Sequence, residues 1–160
     1  MIYKIEITLK EKLRDRHAEH LRSDILDIGI KKAPEVKYSQ VYKIDGDISR
    51  KDIEAVASKL LTDPVTEIYL IDESLVTGKP AKKKEGIKPI SQIEVWFKPG
   101  VTDTVAESVI KAVRDLGIGA EIKVKTGHKF AFKGKVQGNA LKTIAERLLV
   151  NPMVQFSEIY

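Results

Sequence analysis

The sequence predicts an α+β protein made of two tandem βαββαβ units of the ferredoxin-like kind, each with an antiparallel sheet. Three observations predict it: an internal repeat, paired apolar stripes at helical spacing, and segments of strict alternation between them. Shifted by 88 residues, Ile5-Glu6-Ile7 falls on Ile93-Glu94-Val95, Lys10 on Lys98, and Asp15, Ala18 and Glu19 on Asp103, Ala106 and Glu107. Gly29-Ile30 meets Gly117-Ile118, Leu60-Leu61 meets Leu148-Leu149, and Pro64 meets Pro152. A repeat of this kind sets the architecture before any element is assigned. In the middle the best letter match is at an offset of 86, Val36-Lys37 on Ile122-Lys123, which implies a two-residue change of loop length.

The first helix of each half follows from Ala18, Leu21, Ile25 and Ile28, and from Ala106, Val109, Val113 and Leu116, apolar positions three and four apart. Gly29 and Gly117 stand where a left-handed residue would close each helix. The second helix carries Ile53, Val56 and Leu60, matched by Leu141, Ile144 and Leu148. Ser49 with Asp52, and Thr104 with Glu107, have capping-box spacing, and Pro64 and Pro152 stop the second helices. Strands are predicted over 2–9, 36–44 and Val65–Ile71, and over 91–98, 121–132 and Met153–Ile159, with Thr126-Gly127-His128 turning the fifth into a hairpin. Two helices cover one face of a four-stranded sheet, so the other face needs a cover, and the second repeat is the natural one. The domain plan is a repeat over 1–71, a lysine-rich linker over 72–89 and a repeat over 90–160. The two repeats form an intrachain pseudo-dimer or a swapped dimer, with Trp96 buried between their sheets.

Composition narrows the function. The chain has 160 residues, 42% of them hydrophobic and 32% charged, as in a foldable soluble protein. It has no cysteine, hence no disulfide, no thiolate metal site and no thiol nucleophile. No apolar run is long enough to cross a bilayer and the first residues alternate rather than form a leader's apolar core, so a cytoplasmic location is expected. The net charge of +5 divides as zero over residues 1–71, +2 over 72–89 and +3 over 90–160, so no basic stripe forms outside Lys82-Lys83-Lys84.

Candidate chemistry is sparse. His17 and His20 lie three apart on one helix, but two ligands do not make a metal site, and Val105 and Ser108 replace them in the second half. Gly78-Lys79 lacks both the upstream glycine and the Ser/Thr of a phosphate loop. Lys129-Phe130-Ala131-Phe132 resembles an RNA-binding aromatic strand without its glycine, which gives an alternative reading as an RNA-binding ferredoxin-like module using Phe130, Phe132 and the basic linker. A small-ligand regulatory domain is a further alternative, although no pocket motif marks it. No pair of carboxylates or nucleophile with a base stands out, so no catalytic residue is assigned.

Several short segments together resemble one family. Lys98-Pro99-Gly100-Val101-Thr102-Asp103, Leu116-Gly117-Ile118, Val124-Lys125-Thr126-Gly127-His128-Lys129-Phe130 and Leu148-Leu149-Val150-Asn151-Pro152 are similar, in order and spacing, to the small PurS-type subunit of phosphoribosylformylglycinamidine synthase. Leu9-Lys10-Glu11 and Leu60–Val65 match likewise in the first half, while Val41–Asp47 looks more like the amino-terminal region of the large single-chain synthetase. The resemblance implies a non-catalytic subunit of an ATP-dependent carbon–nitrogen ligase in purine biosynthesis. It implies partnership with a PurL-type synthetase and a PurQ-type glutaminase, support of ammonia transfer between them, and no cofactor on this chain, with ATP and Mg on the synthetase. Membranes and nucleic acid are not expected partners, and a homo-oligomer is compatible with the reading. The partner-facing residues it suggests are Lys98, Asp103, Gly127, His128 and Lys129. The chain departs from the family in Asp15-Arg16-His17 and Asp103-Thr104-Val105, where a Pro and a Gly usually follow the Asp, and in Ser39-Gln40-Val41, which lacks the mid-domain glycine.

Overall fold

A computed structural model of the chain describes residues 1–72, 91–134 and 136–160. The linker with Lys82-Lys83-Lys84, and the Gly78-Lys79 pair, lie outside the described residues. In chain order the elements are β1 (Ile2–Leu9), α1 (Arg16–Asp27), β2 (Glu35–Gly46), α2 (Arg50–Ala55), β3 (Glu67–Asp72), β4 (Ser91–Phe97), α3 (Thr104–Asp115), β5 (Ile122–Lys133), α4 (Gly138–Ile144) and β6 (Gln155–Ile159). α2 and α4 each continue into a π-helical turn, Val56–Leu61 and Ala145–Leu149.

The six strands follow the order β3-β1-β2-β5-β4-β6. β1 pairs antiparallel with β3, and β4 antiparallel with β5 and β6. The α+β class, the antiparallel sheet and the strand–helix pattern are those the sequence predicts. The middle of each repeat differs. One twelve-residue strand stands there instead of two, and β5 runs straight through Thr126-Gly127-His128 with no hairpin. Gly127 is paired opposite Trp96 inside the ladder, which removes the turn its glycine suggested. The strands of both repeats also share one strand order.

The chain divides into two compact units, and neither is a repeat. Within the described residues, unit 1 comprises 1–11, 40–72 and 102–126, and unit 2 comprises 12–39, 91–101 and 127–160. Unit 1 therefore contains β1, the second half of β2, α2, β3, α3 and the first half of β5. Unit 2 contains α1, the first half of β2, β4, the second half of β5, α4 and β6. Each unit has four strand segments and two helices, so the two middle strands predicted for one repeat are halves of a single long strand. Each first helix serves the unit that holds the other repeat's edge strands.

The cores show the same exchange. In unit 1, Ala106, Val109 and Val113 of α3 cluster with Tyr3, Ile5 and Ile7 of β1, Tyr42 and Ile44 of β2, and Ile53 and Val56. In unit 2, Ala18, Leu21 and Ile25 of α1 cluster with Ile93 and Val95 of β4, Phe130 and Phe132 of β5, and Leu141 and Ile144. The predicted stripes lie on the buried faces, with Ile28, Leu60 and Leu148 only half-buried towards their ends and Leu116 45% exposed at the end of α3. Phe132 is completely buried and Phe130 is 9% exposed, so neither can stack on a base, and the RNA reading loses its aromatic platform.

Hydrogen bonds fix the true frame of the repeat. Asp15 caps α1 by accepting from the Ala18 N–H (3.0 Å), and its other oxygen accepts from the Tyr38 N–H (3.0 Å). Asp103 caps α3 in the same way, accepting from the Ala106 N–H (2.9 Å) and from the Thr126 N–H (2.9 Å). Tyr38 and Thr126 are 88 apart, as are the left-handed Gly29 and Gly117 that close the helices. The offset is therefore 88 through the middle too, and the offset of 86 matched letters one pleat repeat along the strand, without any change in loop length. The α3 cap is consequently Asp103 and not the predicted Thr104, whereas Ser49 caps α2 as expected.

Candidate functional site

The loop that follows the first strand of each repeat is tied down by a lysine. Lys10 Nζ donates to the Pro64 carbonyl (2.8 Å), and Lys98 Nζ donates to the Pro152 carbonyl (2.5 Å). Each lysine thus holds the turn before the last strand of its repeat, and that turn is itself built twice. Asp63 Oδ1 accepts from the Val65 N–H, and Asn151 Oδ1 from the Met153 N–H.

Asp103, half-buried in unit 1, carries more than a cap. Both of its oxygens also accept from the Thr126 hydroxyl, at 3.0 and 2.9 Å. Its carboxylate belongs to the setting of Tyr42, whose phenol is pushed up to about 12, first by burial and then by the negative charges of Glu67 and Asp103.

Gly127 is buried in β5 because Trp96 lies across it. A Cβ there would meet the Val95 carbonyl oxygen at 2.6 Å and the Trp96 ring at 2.7 Å, so only glycine admits the indole. The Trp96 N–H donates to Glu94 (3.3 Å), and both are buried, at 3% and 1% exposure. This burial of Trp96 is on the sheet face opposite the helices. Lys129 shares that face, directly opposite Glu94 in the ladder. Gly127→Ala is expected to lower stability by about 1–3 kcal/mol by forcing the ring and backbone apart. A red shift of the emission of Trp96, the chain's one tryptophan, checks it; a wild-type melt and spectrum would show that the close approach is dispensable.

His128 points the other way and is exposed. Its Nδ1 and the Tyr38 hydroxyl share a 2.7 Å hydrogen bond whose direction follows the imidazole tautomer. The His17 ring stacks on Tyr38 with centroids 4.1 Å apart, and Phe130 packs against the same ring at 5.3 Å. Unit 2 thus carries an aromatic ladder, His17–Tyr38–His128, that reaches solvent at both ends. The matching positions of unit 1, Val105, Thr126 and Gln40, carry no ring. The sequence reading missed Tyr38, because the 86 frame set it opposite Val124 and hid its equivalence to Thr126.

Of the five residues suggested from sequence, Asp103 belongs to unit 1 and Lys98, Gly127, His128 and Lys129 belong to unit 2. Alternation sends the side chain of His128 and that of Lys129 to opposite faces. Among the described residues no group of three or more His, Cys, Asp or Glu side chains is placed to hold a metal, and no helix is long and apolar enough to cross a membrane. The arrangement offers stacking, hydrogen bonding and rigid loop edges.

A comparison with curated proteins gives no match. The model of the PurS family, phosphoribosylformylglycinamidine (FGAM) synthase, matches residues 2–74 and again residues 90–159. Two matches with one family across nearly the whole length agree with the duplicated caps, lysine ties and turns: the chain belongs to the PurS family and is a tandem form of this FGAM synthase subunit of purine biosynthesis.

Proposed function

We propose that this chain is the non-catalytic assembly subunit of an FGAM synthase, bridging a PurL-type synthetase and a PurQ-type glutaminase and supporting transfer of glutamine-derived ammonia between them. The observation that carries this reading is the double family match over a chain whose conspicuous polar residues serve its own fold. Lys98 holds a turn, and Asp103 caps a helix and fastens β5 through the Thr126 N–H and hydroxyl. Ammonia free in neutral water is protonated and loses its nucleophilicity, so holding the two catalytic partners together has a chemical purpose. ATP and Mg would then be bound by the synthetase, and this chain would bring no cofactor.

Within that reading the partner-facing surface of unit 2 is centred on His128, with Tyr38 and His17 beside it, and Lys129 on the opposite sheet face. Lys98, in the loop after β4, and Gly127, within β5, act by setting its shape, while Asp103 shapes the start of α3 in unit 1. Mixing the chain with the two partner subunits should restore glutamine-dependent FGAM formation, while the synthetase alone works only with added ammonia. Equal glutamine-dependent rates without the chain would overturn the proposal. His128→Ala together with Lys129→Ala should weaken co-purification of the partners by about tenfold, some 1.4 kcal/mol, with an unchanged melt.

A further inference from the structure

The two units carry equivalent cavities that have diverged. In unit 1 a small cavity of about 340 Å³ is lined by Asp45, Gly46, Arg114, Glu121, Ile122 and Lys123. Five of these six positions, shifted by 88, line a cavity of about 600 Å³ in unit 2. The difference begins at the glycines. A Cβ on Gly46 would collide with the Glu121 carbonyl oxygen and press on Ile122, so the loop after α3 is closed down on the end of β2. Gly134, its counterpart, has open space where a Cβ would stand, because the loop after α1 stands off from the end of β5.

What lines the opened space has changed in kind. Ile30, Ala33, Pro34, Val136, Ala140 and Ile144 give it an aliphatic wall with, among the described residues, no aromatic ring. Ala33 replaces Glu121, Ala140 replaces the capping partner Asp52, and Gln137 replaces the cap Ser49. At the rim Lys133 replaces Asp45, and Lys32 replaces Ala120. Among the described residues the lone acidic lining residue is Glu35, whose carboxylate meets Lys133 Nζ at 3.0 Å with both side chains 65% exposed. An exposed pair of this kind holds its partners weakly and can admit a competing anion.

We propose that the unit 2 cavity binds a small aliphatic carboxylate. Its size falls in the usual range for small-molecule sites, about 300–1,000 Å³, and its plan is the usual one: an apolar body with a few polar groups at one edge. The wall offers an acyl chain dispersion contact and offers a nucleobase no stacking partner. The rim offers two ammonium groups and the Gln137 amide, which suit one carboxylate. Among the described residues it has neither the arginine fork nor the hydroxyl groups that favour phosphate.

This proposal is independent of the assembly reading, because it is tested on the chain alone. With 15N-labelled full-length protein and sodium octanoate as probe, saturable shifts are expected at the Ile30, Ala33, Gly134 and Ala140 amides, with a dissociation constant of about 0.1–1 mM. Octylamine and acetate should leave these signals in place, the first for its charge and the second for its missing chain. Ala140→Leu, which fills the cavity, should weaken octanoate at least about tenfold, and Lys32→Glu, at an exposed position, should weaken it several-fold without moving the melt. The Lys32→Glu result carries the test if the filled variant fails to fold. Absence of saturable shifts, equal binding of octylamine, or shifts centred on Asp45 and Gly46 would overturn the proposal.

Discussion

Expressed apart, residues 1–74 and 90–160 should each fail to melt cooperatively as a monomer, and mixing them should restore a sharp transition. The exchange of first helices makes this the largest effect the structure predicts. A fragment of the first repeat supplies Tyr3, Ile5, Ile7 and Ile53 without Ala106, Val109 and Val113, the α3 side chains that cover them. A fragment of the second supplies Ile93, Val95 and Phe132 without Ala18, Leu21 and Ile25. Burying a side chain such as Val or Leu contributes about 1.5–3 kcal/mol, so each missing helix removes on the order of 5 kcal/mol. Whole domains are stable by only about 5–15 kcal/mol. Near-ultraviolet circular dichroism with sedimentation checks the result. A single fragment that melts sharply as a monomer would mean that each helix can fold back on its own strands, and would remove the exchange as a requirement.

Replacing Asp103 by alanine should lower stability by roughly 3 kcal/mol, the combined effect of a lost cap worth about 1 kcal/mol and of charge-assisted bonds worth about 1.5–3 kcal/mol each, partly offset by water. For a chain of this length that corresponds to a melting temperature lower by on the order of 10 °C. The loss arises because one carboxylate serves the Ala106 N–H, the Thr126 N–H and the Thr126 hydroxyl together. Asp15→Ala should cost less, since Asp15 accepts two backbone N–H groups and no hydroxyl. Asp103→Asn should fall between wild type and alanine, because an amide keeps one accepting oxygen. Calorimetry of the three variants decides the matter: an unchanged melt for Asp103→Ala combined with loss of partner binding would move this residue from the fold to the docking surface.

Much of the fold was legible because helices and strands write their burial into the spacing of apolar residues. Ala18, Leu21 and Ile25, and Ala106, Val109 and Val113, are buried as their spacing predicts, and Gly29 and Gly117 close their helices with φ of 90° and 84°. The strand that became a hairpin on paper was misread because Gly127 looks the same in a turn as under an indole. Only the cross-strand neighbour Trp96 distinguishes the two, and that neighbour is 31 positions away in the chain. The exchange of helices was illegible for a related reason. The apolar stripe of α1 suits the strands of either repeat equally well, since the two were once the same strands.

The candidate site was less legible still. Lys98, Asp103 and Gly127 were singled out by family resemblance, and their contacts are with the fold's own turns, caps and rings. Tyr38, at the centre of the exposed ladder, carries no motif, and its place beside His17 and His128 follows from a register that the letters alone shifted by two.

The exchange of helices also bears on how the two halves could drift. In a dimer of identical small subunits every substitution is made twice, at both ends of the twofold axis, and a change that helps one site is imposed on the other. Here each unit draws on both repeats, yet every residue in it is encoded once. Lysine can therefore stand at 133 with aspartate at 45, and Gly134 can keep open space beside it while its twin Gly46 is closed in. Carrying both repeats in one chain frees the pair from having to mutate in step.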